Sequence, residues 1–252
     1  MNDLICRYDK LESLLKDKLK SSNGEKKAEN YRLLAPIPNP RQDMVCLGVN
    51  YRSHIEETVN GIAFTKKNDT VYFSKRINRC NDPGGIIPLY DFVDSLDYEV
   101  ELAVILKKDA FQVKEEDAKN YIFGYSIVND VSARNIQTKH QQWYLGKSLD
   151  GYAPFGPCIV TPDEFTDVYN LSISCCVNGE LRQNSNTAHM ITKVEAAIAE
   201  LTEGMTLKAG TVIATGTPGG VAMGMKEPLY LKKGDLVTCE IQGIGKLTNT
   251  VG

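Results

Sequence analysis

The chemistry of this chain starts from two glutamates spaced two residues apart. In DYEVELAVIL, residues 97–106, Glu99 and Glu101 interrupt an apolar run. Alternate side chains of a strand share a face, so both carboxylates point the same way, with Cα atoms roughly 6.5–7 Å apart. Tyr98, Val100, Leu102 and Val104 take the other face. A second apolar run, residues 121–128, ends at Asn129-Asp130, which puts a third carboxylate at a strand terminus. The following VSARNIQ reads as a helix with Arg134 and Gln137 one turn apart on one face. Three carboxylates beside a guanidinium and an amide suit a hard divalent cation in an oxygen-only site, and Mg²⁺, Mn²⁺ and Ca²⁺ all accept such ligands. Spacing alone also fits an exposed edge strand with solvated glutamates, and on spacing alone that plainer reading leads.

Three further stretches carry candidate chemistry. In MVCLGVNYRSHIEE, His54 and Glu57 share a face if residues 52–57 are helical. A carboxylate on one imidazole nitrogen orients the ring and raises the basicity of the other, which makes a general base. The plain alternative is a surface histidine in a helix salt bridge. Lys147 is either a salt-bridge partner or a group that binds a substrate anion or moves a proton. Gly146-Lys147-Ser148 imitates the end of a phosphate loop, but Gln141 stands where its first glycine belongs, so the motif fails. The turn GTPGG, residues 216–220, offers backbone N–H groups and Thr217 to an oxyanion or carboxylate, or is a plain exposed loop.

The elements that must position these groups are mostly strands. Leu4, Leu11, Leu14, Leu15 and Leu19 mark an N-terminal helix, and APIPNPR, residues 35–41, is a boundary. Residues 1–41 therefore read as a lead-in and 42–252 as one catalytic domain. Residues 44–49 and 71–75 are short strands, and 58–70 have the composition of a mobile loop. LSISCCVNGELRQ is a hairpin turning at Asn178-Gly179. Thr192-x-x-Glu195 has the form of a capping box ahead of Val194, Ile198 and Leu201 at helical spacing, with Gly204 as the stop. Residues 212–215 form a strand, and the C-terminus forms two strands around a Gly-x-Gly turn. The fold class is α+β, mainly β.

Composition excludes several functions. A net charge of −3 with no basic stripe argues against nucleic acid. No apolar run has the length of a membrane span, and the N-terminus lacks the uncharged core of a secretory signal. Seven cysteines, an odd number without a C-x-x-C pair, fit reduced thiols in a cytoplasmic protein.

Together the segments CLGVNYRSHIEE, FSK, LDYEVELAVIL, IFGYSIVNDVSARNIQ, QWYLGKSLDGYAPFGPCIV, VNGELRQ, ATGTPGGVAMG and LKKGDLVTCEIQGIGKLTN resemble the fumarylacetoacetate hydrolase family, in its order, over about residues 44–250. Within it they look like the branch of acylpyruvases and 2-hydroxyhepta-2,4-diene-1,7-dioate isomerases. The resemblance implies a layered β-roll, usually a homodimer, with Mg²⁺ or a close relative held by Glu99, Glu101 and Asp130. It implies a water-activating pair, His54 with Glu57, on a segment folding over the site, and substrate contacts from Arg134, Gln137, Lys147 and Thr217. Two departures stand out. The family usually reads A-R-D where this chain has Ala133-Arg134-Asn135, and it usually has proline after Lys75, where this chain has Arg76.

The expected reaction is hydrolytic C–C cleavage of a 2,4-dioxo acid of acylpyruvate type. The cation would act as Lewis acid and electron sink, Arg134 and Lys147 would neutralise the carboxylate, and no organic cofactor is needed. The same parts would equally isomerise a dienoic acid, tautomerise oxaloacetate or decarboxylate a β-keto acid. A different class, a non-catalytic β-scaffold, requires Glu99 and Glu101 to splay into solvent.

Overall fold

The computed structural model describes residues 1–21, 31–58 and 70–252. Its strands in chain order are β1 (Met44–Gly48), β2 (Val71–Lys75), β3 (Ile86–Ile87), β4 (Leu96–Asp97), β5 (Val100–Leu106), β6 (Ile122–Asn129), β7 (Ser132–Ala133), β8 (Phe155–Val160), β9 (Ser172–Val177), β10 (Glu180–Asn186), β11 (Val212–Ala214), β12 (Leu236–Ile241) and β13 (Gly245–Val251). The α-helices are α1 (Asn2–Ser21), α2 (Arg52–Thr58), α3 (Arg134–Lys139), α4 (Tyr144–Lys147) and α5 (Val194–Thr202). This is the α+β, mainly β class.

A six-stranded sheet runs β2-β1-β11-β5-β6-β8, and a five-stranded sheet runs β10-β9-β12-β13-β3. The expected edge strand is therefore central: β5 lies antiparallel between β11 and β6. Every residue of β5 is buried. Its Val100, Leu102, Val104 and Leu106 enter a core shared with Ile173, Cys175, Val237 and Cys239 of the second sheet and Ile198 of α5. Its other face carries Ala103 and Ile105 into a second cluster with Ile5 of α1, Ala35 and Ile37. Two layers thus meet on one side of β5, and the N-terminal segment covers the other.

Several expectations shift on local detail. Glu99 lies just ahead of β5, because Leu96–Asp97 pair instead with Ser132–Ala133. That pairing also delays the helix expected across VSARNIQ, which begins at Arg134. The capping box does not form. Lys193 holds the cap position without a side-chain bond. Thr192 is drawn away to Thr70 (2.7 Å) and to Asn50 Oδ1 (2.7 Å), and Glu195 accepts from the Tyr169 hydroxyl. Tertiary hydrogen bonds outcompete the local cap here. The loop expected over 58–70 falls almost wholly outside the described residues. Among the described residues no helix is long and apolar enough to cross a membrane.

Candidate metal centre and proton-transfer pair

Strand register assembles the three carboxylates. In the β5–β6 pair Val100 faces Asn129 and Glu101 faces Val128. One step beyond, Asp130 N–H donates to the Glu99 carbonyl at 2.9 Å, which sets Asp130 across from Glu99. Residues opposite each other on neighbouring strands share a face. One carboxylate oxygen from each of Glu99, Glu101 and Asp130 lies within 4.8 Å of the others, and all three residues are buried. The solvated-glutamate and splayed-scaffold readings fail on this burial.

Three cations line the cluster. Lys147 Nζ donates to Glu99 Oε2 (2.6 Å) and Asp130 Oδ2 (2.7 Å). Lys75 Nζ donates to Asp130 Oδ1 (2.6 Å) and to the Val131 carbonyl (3.0 Å). Arg134 pairs through Nη2 with Glu99 Oε1 (2.7 Å) and through Nε with Asp97 Oδ2 (2.9 Å). Its Nη1 donates to Gln137 Oε1 (3.0 Å). Because Gln137 Oε1 must accept there, its amide NH₂ is turned away as a donor. Lys147 Nζ also stands over the Phe73 ring, 5.3 Å from its centroid, a cation–π contact.

Four carboxylates (Asp97, Glu99, Glu101, Asp130) thus face three cations (Lys75, Arg134, Lys147), and the unmatched charge falls on Glu101. Burial, Asp130 and Glu99 push the Glu101 carboxyl well above its usual range. Its bonded donor is Gly216 N–H, at 2.8 Å. Burial also works to raise Glu99, but Lys147 and Arg134 outweigh it and hold that group below the usual range. Burial works to lower Lys147, and Asp130 with Glu99 overcome it, so Lys147 stays an ammonium. An all-oxygen trio with one uncompensated carboxylate fits a divalent cation. Glu99, Glu101 and Asp130 are the residues that would hold it. At the border between this cluster and the apolar one, Cys46 is pushed well above the thiol range, by burial first and then by Asp130 and Glu101, which suits an inert thiol.

The second component sits on α2. His54 is buried, and its Nδ1 meets Glu57 Oε1 at 2.7 Å. A carboxylate can only accept, so Nδ1 carries the proton of this bond. Glu57 is itself anchored, its Oε2 accepting from Gly220 N–H at 2.7 Å. Gly224 leaves the room Glu57 needs, since a Cβ there would stand 2.5 Å from Glu57 Cδ. When protonated, His54 would add to the positive charge that favours the ionised Glu99 carboxyl. The surface-histidine alternative is excluded by this burial.

The 216–220 turn is not an exposed loop: Gly216, Thr217 and Pro218 are buried. Gly216 adopts φ +91°, and a Cβ there would come within 2.7 Å of Asn50 Cβ, so only glycine suits both demands. Thr217 Oγ1 donates to the Val100 carbonyl (3.0 Å) and accepts from Gln183 Nε2 (2.7 Å). Its single hydroxyl proton is therefore committed within the protein, and toward a ligand the oxygen has only a lone pair to offer.

The expected site residues Glu99, Glu101, Asp130, Arg134, Gln137 and Lys147 come together, with His54 and Glu57 beside them. Sequence reasoning missed Lys75 and Asp97. Lys75 ends a strand on the face of Phe73, and a lysine there needs a carboxylate partner. Asp97 extends the alternation D-x-E-x-E, and its oxygens accept from Arg134 Nε, Tyr98 N, Ala222 N and Met223 N. The unusual Arg76 makes a bond that proline cannot, its N–H donating to Ser148 Oγ at 3.0 Å. Asn135 stays outside the site, its side chain bonded to the Phe92 carbonyl.

Comparison with known proteins agrees with this architecture. Oxaloacetate tautomerase YisK of Bacillus subtilis (strain 168) is 40% identical over 222 residues, covering 88% of this chain and 73% of the relative. The structure of a fumarylacetoacetate hydrolase from Exiguobacterium antarcticum superposes with a TM-score of 0.79 at 44% identity, over 89% of this chain and 79% of that one. The 2-hydroxyhepta-2,4-diene-1,7-dioate isomerase of Mycobacterium marinum superposes with a TM-score of 0.72 at 35% identity, over 86% of this chain and 76% of that one. Residues 43–252 match the fumarylacetoacetate (FAA) hydrolase C-terminal family. With that match spanning most of its length and enzymes among its relatives, the chain belongs to the fumarylacetoacetate hydrolase family and is one of its enzymes.

Proposed function

We propose that this enzyme interconverts the enol and keto forms of a 2-oxo diacid of the oxaloacetate type, with Mg²⁺ as its cation. The reading rests on one juxtaposition: a buried imidazole with its Nδ1 proton held by Glu57, beside a carboxylate trio short of one positive charge. Similarity to a named oxaloacetate tautomerase favours tautomerisation over the C–C hydrolysis expected first from the sequence. When bound, the cation supplies Lewis acidity toward the 2-oxo oxygen and turns the cluster's net charge from negative to positive. That balance suits an anionic substrate.

The chain's own groups do the rest. Arg134 and the outward NH₂ of Gln137 bind and orient the carboxylate. His54 Nε2 takes the proton at C3, and Glu57 stabilises the imidazolium that results. Lys147, an ammonium, holds negative charge at the C2 oxygen and provides a proton there. No water needs to enter, which separates this reaction from cleavage. The hydrolytic reading keeps second place through the 44%-identical hydrolase structure. The deciding experiment follows enol oxaloacetate and acetylpyruvate side by side with Mg²⁺. Accelerated loss of the enol with acetylpyruvate intact is expected. Cleaved acetylpyruvate with uncatalysed enol decay overturns the proposal.

A further inference from the structure

Resting on that reading, we infer that Gln183 is a positioning residue of the active site, although it comes from the other sheet. It lies on β10, fully buried. The β9–β10 register shifts between Leu181 and Gln183, a bulge of the kind that re-aims a side chain. The re-aimed amide is saturated. Oε1 accepts from Val100 N–H at 3.0 Å. Nε2 donates to Thr217 Oγ1 at 2.7 Å and to the Pro218 carbonyl at 2.8 Å.

The partners share a property that ordinary packing does not require. Val100 is the residue between Glu99 and Glu101, so Gln183 grips the backbone that carries both glutamates. Thr217 and Pro218 are the middle of the turn whose first residue, Gly216, donates to Glu101, and whose last, Gly220, donates to Glu57. The turn also lies directly on β10: a Cβ on Gly220 would stand 2.1 Å from the Arg182 carbonyl. One amide therefore joins the backbone of the cation ligands to the segment that aims both a ligand and the partner of the base. A glutamine serves because the task needs one acceptor and two donors on one planar group. Neither glutamate nor an apolar residue of equal length supplies all three.

The experiment uses Gln183→Met, which keeps length and apolar volume and removes all three bonds. Two readouts are taken on the folded protein: Mn²⁺ affinity by calorimetry, and kcat and KM for enol oxaloacetate. Supporting groups behind a metal site typically matter by about 10–100-fold. A loss of about 10-fold or more is accordingly expected in Mn²⁺ affinity and in kcat, with KM little changed. Thr217→Val, which removes the hydroxyl that Gln183 grips, should show the same signature and decides the matter if Gln183→Met does not fold. A lower melting temperature with Mn²⁺ affinity and kcat per folded molecule unchanged would mean that Gln183 only packs, and overturns the inference. If wild type binds Mn²⁺ but leaves the enol untouched, the reaction is misassigned, and the calorimetric arm alone judges Gln183.

Discussion

The two ends of one face of β5 are made of opposite materials. Glu101 stands at the start of the strand with Glu99 just ahead of it, and Ala103 and Ile105 follow on the same side. All four are buried. Strand β6 runs beside both ends, while β11 pairs only with residues 103–105. What differs is the cover. Lys75, Lys147 and Arg134 close over the first end, whereas Ile5, Ala35 and Ile37 close over the second. Burial by itself therefore says nothing about chemistry. The charged end is costly to bury and needs every partner it has, while the apolar end gains from burial directly.

The most damaging change to the charged end is Glu99→Gln. It removes a proposed cation ligand and also strips Lys147 and Arg134 of a shared counter-charge. Mn²⁺ affinity and activity should fall by more than the roughly 100-fold attributable to an outer-shell group. Stability of the cation-free protein should fall by about 3–5 kcal/mol, as for other broken buried pairs, read by urea denaturation. Retention of Mn²⁺ binding would mean that the two ends do not differ as described.

Glu101 sharpens the same contrast through pH. Its carboxyl is raised above the ordinary 4.5 by burial, Asp130 and Glu99. Between pH 4.5 and its raised value the native chain holds a proton that the unfolded chain has lost. Stability of the cation-free protein therefore declines as pH rises through that window. A bound cation replaces the proton, so affinity should rise with pH, with release of about one proton per ion, measured by calorimetry in buffers of different ionisation enthalpy. Glu101→Gln should abolish the release. Unchanged proton release in that variant would move the titrating group elsewhere.

The charged end was legible in sequence to the extent that alternation could show it. The i, i+2 spacing of Glu99 and Glu101 and the strand-end position of Asp130 put three acids on one face, and the fold agrees. Alternation does not report whether a face is wet, because that depends on what covers it from elsewhere in the chain. Lys75 illustrates this: a lysine ending VYFSK looks like any solvated strand end until β1 brings it against Asp130. Gln183 was hidden more deeply, since a bulge sets its direction and no residue pattern announces one. Thr192 erred the other way, a local cap signal overruled by contacts with Asn50 and Thr70. Short-range periodicity could be read, then, and long-range pairing of polar groups could not. The family resemblance filled part of that gap, and left Lys75 and Asp97 outside its site.

The smallest effect on the site is expected from the apolar end. Ile5 is buried against the cluster that contains Ala103 and Ile105, and Tyr8 of the same helix meets Phe123 edge-on at 5.0 Å. Ile5→Ala leaves a cavity there and should cost about 2–4 kcal/mol in urea denaturation. Ile105 lies four residues along the strand from Glu101, roughly 13 Å at 3.3 Å per residue. Changes separated by more than about 7–10 Å without shared partners usually add. Mn²⁺ affinity should accordingly match wild type in Ile5→Ala, and the stability changes caused by Ile5→Ala and Glu101→Gln should sum in the double variant. Weakened Mn²⁺ binding in Ile5→Ala, or a double variant far from the sum, would show that β5 transmits strain along its length. The N-terminal helix would then belong to the machinery of the site and not only to its cover.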